Sequence, residues 1–120
     1  MKYLLLVAHG SRRKASNDEV RQLAQHMNTL QHDYDAVGSA FLELAEPLIP
    51  QGIQDAIAKG ASEVVVLPYF LSAGRHVSKD VPAEVSRVRE EYPQVKIRIA
   101  PYLGSAAGIA ELLLAQANEK

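Results

Sequence analysis

Two of the four histidines stand beside or near a glycine just after an apolar run: His9-Gly10-Ser11 and Gly74-Arg75-His76. Neutral imidazole binds Co²⁺, Ni²⁺, Fe²⁺ and Zn²⁺, and it takes up a proton near neutral pH. Glu43 and Glu46 follow another apolar segment and could share either task. Two or three such ligands leave open positions on an ion, so a competing ligand can take it away. That composition suits delivery of a metal better than permanent storage. Basic residues adjoin both histidines, with Arg12-Arg13-Lys14 after the first and Arg75 and Lys79 around the second. Arginine and lysine in such places recognise carboxylates or phosphates. Each residue taken singly has a plainer role. A strand-end histidine often only bonds its loop, a basic run is often solvated, and Glu46 sits where first-turn helix acids usually do. Tyr69 and Phe70 read as core or crevice wall, and His26 and His32 as solvent-facing.

These groups must be positioned by the elements around them. Tyr3–Ala8 is continuously apolar and Ser62–Leu67 is rich in β-branched residues, the pattern of strands covered on both faces. Val95–Ala100 alternates apolar with charged residues, as a half-exposed edge strand would, and Asp35–Leu42 is read as the other edge. Helical spacing lies between them. Ser16-Asn17-Asp18-Glu19 reads as a capping box ahead of Val20, Leu23, Ala24, Met27 and Leu30. Pro47 suits the first turn of a second helix that ends at Gly60. Ser78 is read as the cap of a third, with Val81, Val85 and Val88, and Ser105 as the start of a fourth, with Ile109, Leu112 and Leu113.

Four strands, each followed by a helix, imply a three-layer αβα fold with a four-stranded parallel sheet. The two uniformly apolar strands belong in the centre, which gives the order 2-1-3-4 and a flavodoxin-like half domain. In such sheets ligands bind beyond the carboxyl ends of the strands, where the winding reverses. That point lies between the first and third strands, next to His9 and His76. Gly10 and Gly74 are expected to allow a close backbone approach or a positive φ.

Composition narrows the function further. Residues 1–120 fit one domain. Thirteen basic and fourteen acidic residues leave a net charge of −1, which argues against nonspecific nucleic-acid or anionic-membrane binding. No cysteine is present, so disulfides, thiolate metal sites and a cysteine nucleophile are excluded. A cytoplasmic location is expected, because Tyr3–Ala8 is too short for a signal sequence or a span. No glycine-rich nucleotide motif, Gly-x-Ser-x-Gly elbow or His-Glu-x-x-His helix occurs. A histidine phosphatase would want Arg-His-Gly after the first strand, where Ala8 replaces the arginine. Insertion of a metal into a tetrapyrrole, by contrast, needs a loosely held divalent ion and a base for two pyrrole N–H protons.

The segments LLLVAHGSR, FLELAEP and LPYFLSAGRHVSKDVP together resemble the short form of sirohydrochlorin cobaltochelatase, within the class II chelatases. The resemblance runs from residue 3 to about residue 104, in the expected order. It implies that His9 and His76 bind the metal and carry the catalysis, with Glu43 as acidic partner, taken over Glu46 because it lies nearer the strand end. It also sets Ser11, Arg12, Ser72, Gly74 and Arg75 against the tetrapyrrole. No cofactor is implied beyond the substrate metal, Co²⁺, with Ni²⁺ and Fe²⁺ equally suited to imidazole. Chelatases of this class face two such domains across the cleft, so a homodimer is implied here. A non-catalytic carrier of metal or tetrapyrrole is the alternative from a different class.

Overall fold

A computed structural model describes residues 1–120. Its centre is β1 (Lys2–Ala8), buried from Tyr3 through Ala8. β2 (Ala36–Phe41) and β3 (Glu63–Pro68) flank it, β4 (Lys96–Ile99) pairs outside β3, and every pairing is parallel. The order is therefore β2-β1-β3-β4, as the burial pattern of the strands requires. The two-residue period of a strand divides the side chains between two faces. Leu4, Leu6, Val37 and Val65 pack with Ala24 of α1 (Lys14–Thr29). Leu5, Val7, Ala40, Val64, Val66 and Ile97 meet α2 (Ile49–Ala58) and α3 (Val81–Glu91) on the opposite face. At each sheet edge a side chain bonds outward-facing backbone of one residue. Asn28 accepts from the Val37 N–H at 2.8 Å and donates to its carbonyl at 2.7 Å, and the Arg89 guanidinium donates to the Ile97 carbonyl.

Helix starts depart from the sequence reading. α1 begins at Lys14 with Arg13 as its N-cap residue, so Ser16 lies inside the first turn and caps nothing. Asn17 explains the shift: its side chain reaches back to the loop, accepting from Ser11 N–H and donating to Ser11 C=O. Pro50, not Pro47, occupies the first turn of α2, because Leu48 still has extended backbone. Gly60 does end that helix, with φ +107°. Ser78 is not a cap either. It lies within a π-helical turn, His76–Asp80, that runs directly into α3.

The fourth helix differs most. A 3₁₀ turn, Leu103–Ser105, replaces its expected start, and α4 covers only Ile109–Ala117. None of its residues is buried, so Ile109, Leu112 and Leu113 do not face the core. No helix is long and apolar enough to cross a membrane.

Candidate functional site

Hydrogen bonding between the strands continues past their ends and builds the site. Tyr69 N–H donates to Val7 C=O, Leu42 N–H to Ala8 C=O, and Glu43 N–H to His9 C=O at 3.1 Å. His9 and Glu43 are thus held side by side by backbone. Gly10 makes the approach possible: at φ +94°, a Cβ there would sit 1.7 Å from the Glu43 carbonyl oxygen. Leu44, the next residue after Glu43, takes φ +66°, an uncommon backbone state for a bulky side chain. His9 Nε2 lies 3.2 Å from Glu43 Oε1, and the rings of His9 and His76 meet edge to face at 4.4 Å. All three side chains stay accessible, at 40% for His9, 55% for Glu43 and 47% for His76.

The hydrogen-bond partners give the two imidazoles different characters. His9 Nδ1 is 2.9 Å from the Gly10 carbonyl, which can only accept, so Nδ1 carries a hydrogen. Nε2 faces Glu43 Oε1 at 3.2 Å, an ion-pair contact when the ring is protonated. His76 Nδ1 donates to Asp80 Oδ2 at 2.8 Å, which leaves its Nε2 lone pair unengaged. A carboxylate behind an imidazole fixes the ring and strengthens the outward nitrogen as a metal ligand. The side chains do not form a preassembled set of three metal donors. The arrangement is instead one unengaged imidazole nitrogen beside a close His–Glu pair.

Other expected residues fall variously. Glu46 makes no contact with either histidine; its carbonyl accepts from Arg21 and its side chain borders a separate groove with Gln51 and Asp55. Ser11 is consumed by its own turn, its backbone bonded to Asn17 and its hydroxyl accepting from Arg13 N–H. Gly74 has neither a positive φ nor a close neighbour, and its carbonyl accepts from Val77 and Ser78 N–H. Ser72 and Arg75 are exposed beside it. Arg12, Arg13, Arg75 and Lys79 are exposed too, and no carboxylate pairs with any of them. Tyr69 is 38% exposed at the strand end, while Phe70 packs on the larger core cluster. His26 and His32 are exposed. Asn17 and Asp80 escaped the sequence reading. The signal for Asp80 was its helical i+4 spacing from His76; for Asn17 there was none, since its partners are backbone atoms.

The CbiX family model matches residues 3–120. A sirohydrochlorin cobaltochelatase of Priestia megaterium is 35% identical over 99% of this chain and 38% of its own length. A sirohydrochlorin ferrochelatase of the same organism is 33% identical over 99% of this chain and 44% of its own. The chain spans less than half the length of both. A sirohydrochlorin cobaltochelatase of Sulfurisphaera tokodaii is of similar size, 34% identical over 97% of this chain and 91% of that protein. Among solved structures, the sirohydrochlorin chelatase SirB from Bacillus subtilis subspecies spizizenii, in complex with cobalt, superposes with a TM-score of 0.86 at 26% identity. That match covers 97% of this chain and 49% of SirB.

Proposed function

The chain belongs to the CbiX family, and on that premise we propose that it is a chelatase inserting Co²⁺ into sirohydrochlorin. The observation that carries this reading is the unengaged Nε2 of His76 beside the His9–Glu43 pair. Each insertion consumes one divalent ion and releases two pyrrole protons, so the site must both present a metal and accept protons. His76 Nε2 receives the incoming ion as substrate. Glu43 and His9 take the pyrrole protons in turn and pass them to solvent through their exposed faces. Before transfer His9 can turn its Nε2 from Glu43 to the ion as the second ligand, and it takes a pyrrole proton only once the ion has left that nitrogen. Arg12, Arg13, Arg75 and Lys79, free of internal partners, meet the acid side chains around the macrocycle. A second copy supplies the facing wall of the cleft, in keeping with relatives more than twice this length.

The test is absorbance-monitored insertion into apo-sirohydrochlorin with Co²⁺, Fe²⁺ and Ni²⁺ in turn, using excess macrocycle. Multiple turnovers, fastest with cobalt, are expected; a single equivalent would mark a carrier, and faster iron insertion would move the protein to the ferrochelatase reaction. His76→Ala should abolish insertion while the fold stays intact. Wild-type rates in that variant would overturn the assignment of the ion to His76.

A further inference from the structure

Arg21 lies two turns into α1 and engages three partners with one guanidinium. Nη1 donates to Asp18 Oδ1 at 2.9 Å, and Nη2 donates to the Glu46 carbonyl at 2.8 Å. The guanidinium carbon stands 5.0 Å from the centre of the Phe41 ring. Asp18 Oδ2 also accepts from Lys14 at 2.6 Å, which leaves Oδ1 turned to Arg21. Phe41 is fully buried at the end of β2 and gives the guanidinium a fixed platform. A planar group with several donors can bond two acceptors while lying on an aromatic face, which a lysine ammonium does poorly. The side chains of His9, Glu43 and His76 are not among its partners, so Arg21 does not touch the reacting atoms.

The carbonyl that Arg21 holds belongs to the segment that carries Glu43. Glu43 N–H bonds His9 C=O at one end of that segment, and Phe41 N–H bonds Pro47 C=O at 2.9 Å at the other. Between them Leu44, Ala45 and Glu46 take part in no backbone–backbone hydrogen bond, and Arg21 is the only side chain that bonds them. Yet Leu44 holds φ +66° while 53% exposed. An uncommon backbone state in a bulky residue persists only where its surroundings enforce it. Leu44 has little packing of its own to do so. The nearest fixed points are the His9 bond at the residue before it and the Arg21 bond two residues after it. Released at Glu46, the segment can relax about Leu44, and Glu43 moves with it because the two share a peptide bond.

We infer that Arg21 is a positioning residue: by clamping the Glu46 carbonyl it holds Glu43 Oε1 against His9 Nε2. Its bearing on catalysis rests on the chelatase reading of the His9, Glu43 and His76 site. The role differs from that of Arg12, Arg13, Arg75 and Lys79. Their charges have no carboxylate partner, whereas Arg21 is spent on Asp18 and a carbonyl within the fold. Arg21 contributes geometry rather than charge, so a substitution that keeps the charge should not keep the function. Misplacing a reacting group by about 1 Å costs about 100-fold in rate.

Two variants of the full chain test this. Arg21→Met keeps an aliphatic stem over Phe41 and removes every donor, while Arg21→Lys keeps the charge and loses the fork. Both should lower kcat for Co²⁺ insertion into sirohydrochlorin by about 100-fold, with KM for the macrocycle and for Co²⁺ within about threefold of wild type. In the metal-free protein, hydrogen exchange should be at least about tenfold faster at the Glu43 amide and unchanged at the Val64–Val66 amides, which report on the whole core. Wild-type kcat in Arg21→Lys would show that charge suffices. A raised KM with unchanged kcat would place Arg21 against the macrocycle. Unchanged exchange at Glu43, or equal acceleration there and at Val64–Val66, would leave it no local hold on the segment. Each of these results would overturn the inference. Faster exchange confined to the Glu43 segment, in a protein whose wild type inserts no metal, would uphold the clamp and sink the proposed function alone.

Discussion

Replacing Gly10 with alanine tests whether the backbone contact between the first two strand ends is what assembles the site. The new Cβ would lie 1.7 Å from the Glu43 carbonyl oxygen and 2.9 Å from its carbonyl carbon. Ordinary contacts between such atoms are about 3.5 Å, so the two loops must part by roughly 1.5–2 Å. Backbone is the obstacle on both sides, and no side-chain rotation relieves it. The left-handed φ of +94° adds a further cost for any residue with a Cβ. That conformation costs roughly 1–2 kcal/mol, and losing the Glu43-to-His9 backbone hydrogen bond about 1 kcal/mol more. A stability loss of about 2–3 kcal/mol lowers the melting temperature by roughly 10 °C in a domain of this size. The same separation pulls Glu43 Oε1 away from His9 Nε2, where the contact is 3.2 Å. Misplacement by about 1 Å can cost about 100-fold in rate, so insertion should fall by at least that factor below the new melting point. Calorimetry and the sirohydrochlorin assay on one preparation measure both effects. An alanine variant with wild-type melting temperature and wild-type insertion would refute the role given to this contact.

Three further outcomes follow from the same geometry. Asp80→Ala should weaken Co²⁺ binding by about 10–100-fold in titration calorimetry, as loss of a carboxylate behind a ligating imidazole does. Its melting temperature should hardly move, because the exposed His76–Asp80 pair contributes little to stability. Asn17→Ala removes both hydrogen bonds to Ser11 and should destabilise the fold by about 1–3 kcal/mol in urea; a shift in the midpoint of less than a tenth would contradict that. Asp18 is held below the usual carboxylate range, first by the hydrogen bond from Lys14 and further by Arg21, although desolvation, the second-largest effect, opposes them. A depressed folded value means that its contribution is present above the ordinary carboxylate pKa and is lost as pH falls through the folded value. Asp18→Asn should therefore narrow the stability gap between pH 7 and pH 3, more so in low salt; an unchanged gap would show that these ion pairs act only on the surface.

The strand order was legible because burial on two faces leaves a plain mark: Tyr3–Ala8 and Val64–Leu67 contain no polar residue, and both became central strands. The switch point then followed from topology, which is why His9 and His76 could be paired from segments 67 positions apart. Local signals fared worse. Ser16 and Ser78 carry good capping chemistry, yet Asn17 and the π turn at His76–Asp80 set the helix starts through contacts that no short sequence window contains. Glu43 and Glu46 could not be separated by spacing alone. The difference is a backbone hydrogen bond from Glu43 to His9 that depends on the register of two parallel strands. The fourth helix was found but misplaced, since apolar periodicity reports that a face is to be buried and is silent about which molecule buries it.

The side chains that cover the sheet edges govern how copies of this protein can meet. An open strand edge offers unpaired N–H and C=O groups to any other extended chain, and it invites ribbons that grow without limit. Here Asn28 occupies both groups of Val37 at one edge. At the other, Arg89 occupies the Ile97 carbonyl on a strand of four residues whose outward side chains include Lys96 and Arg98. Each of these contacts removes edge groups that another strand would otherwise use, which disfavours strand-to-strand growth at both ends of the sheet.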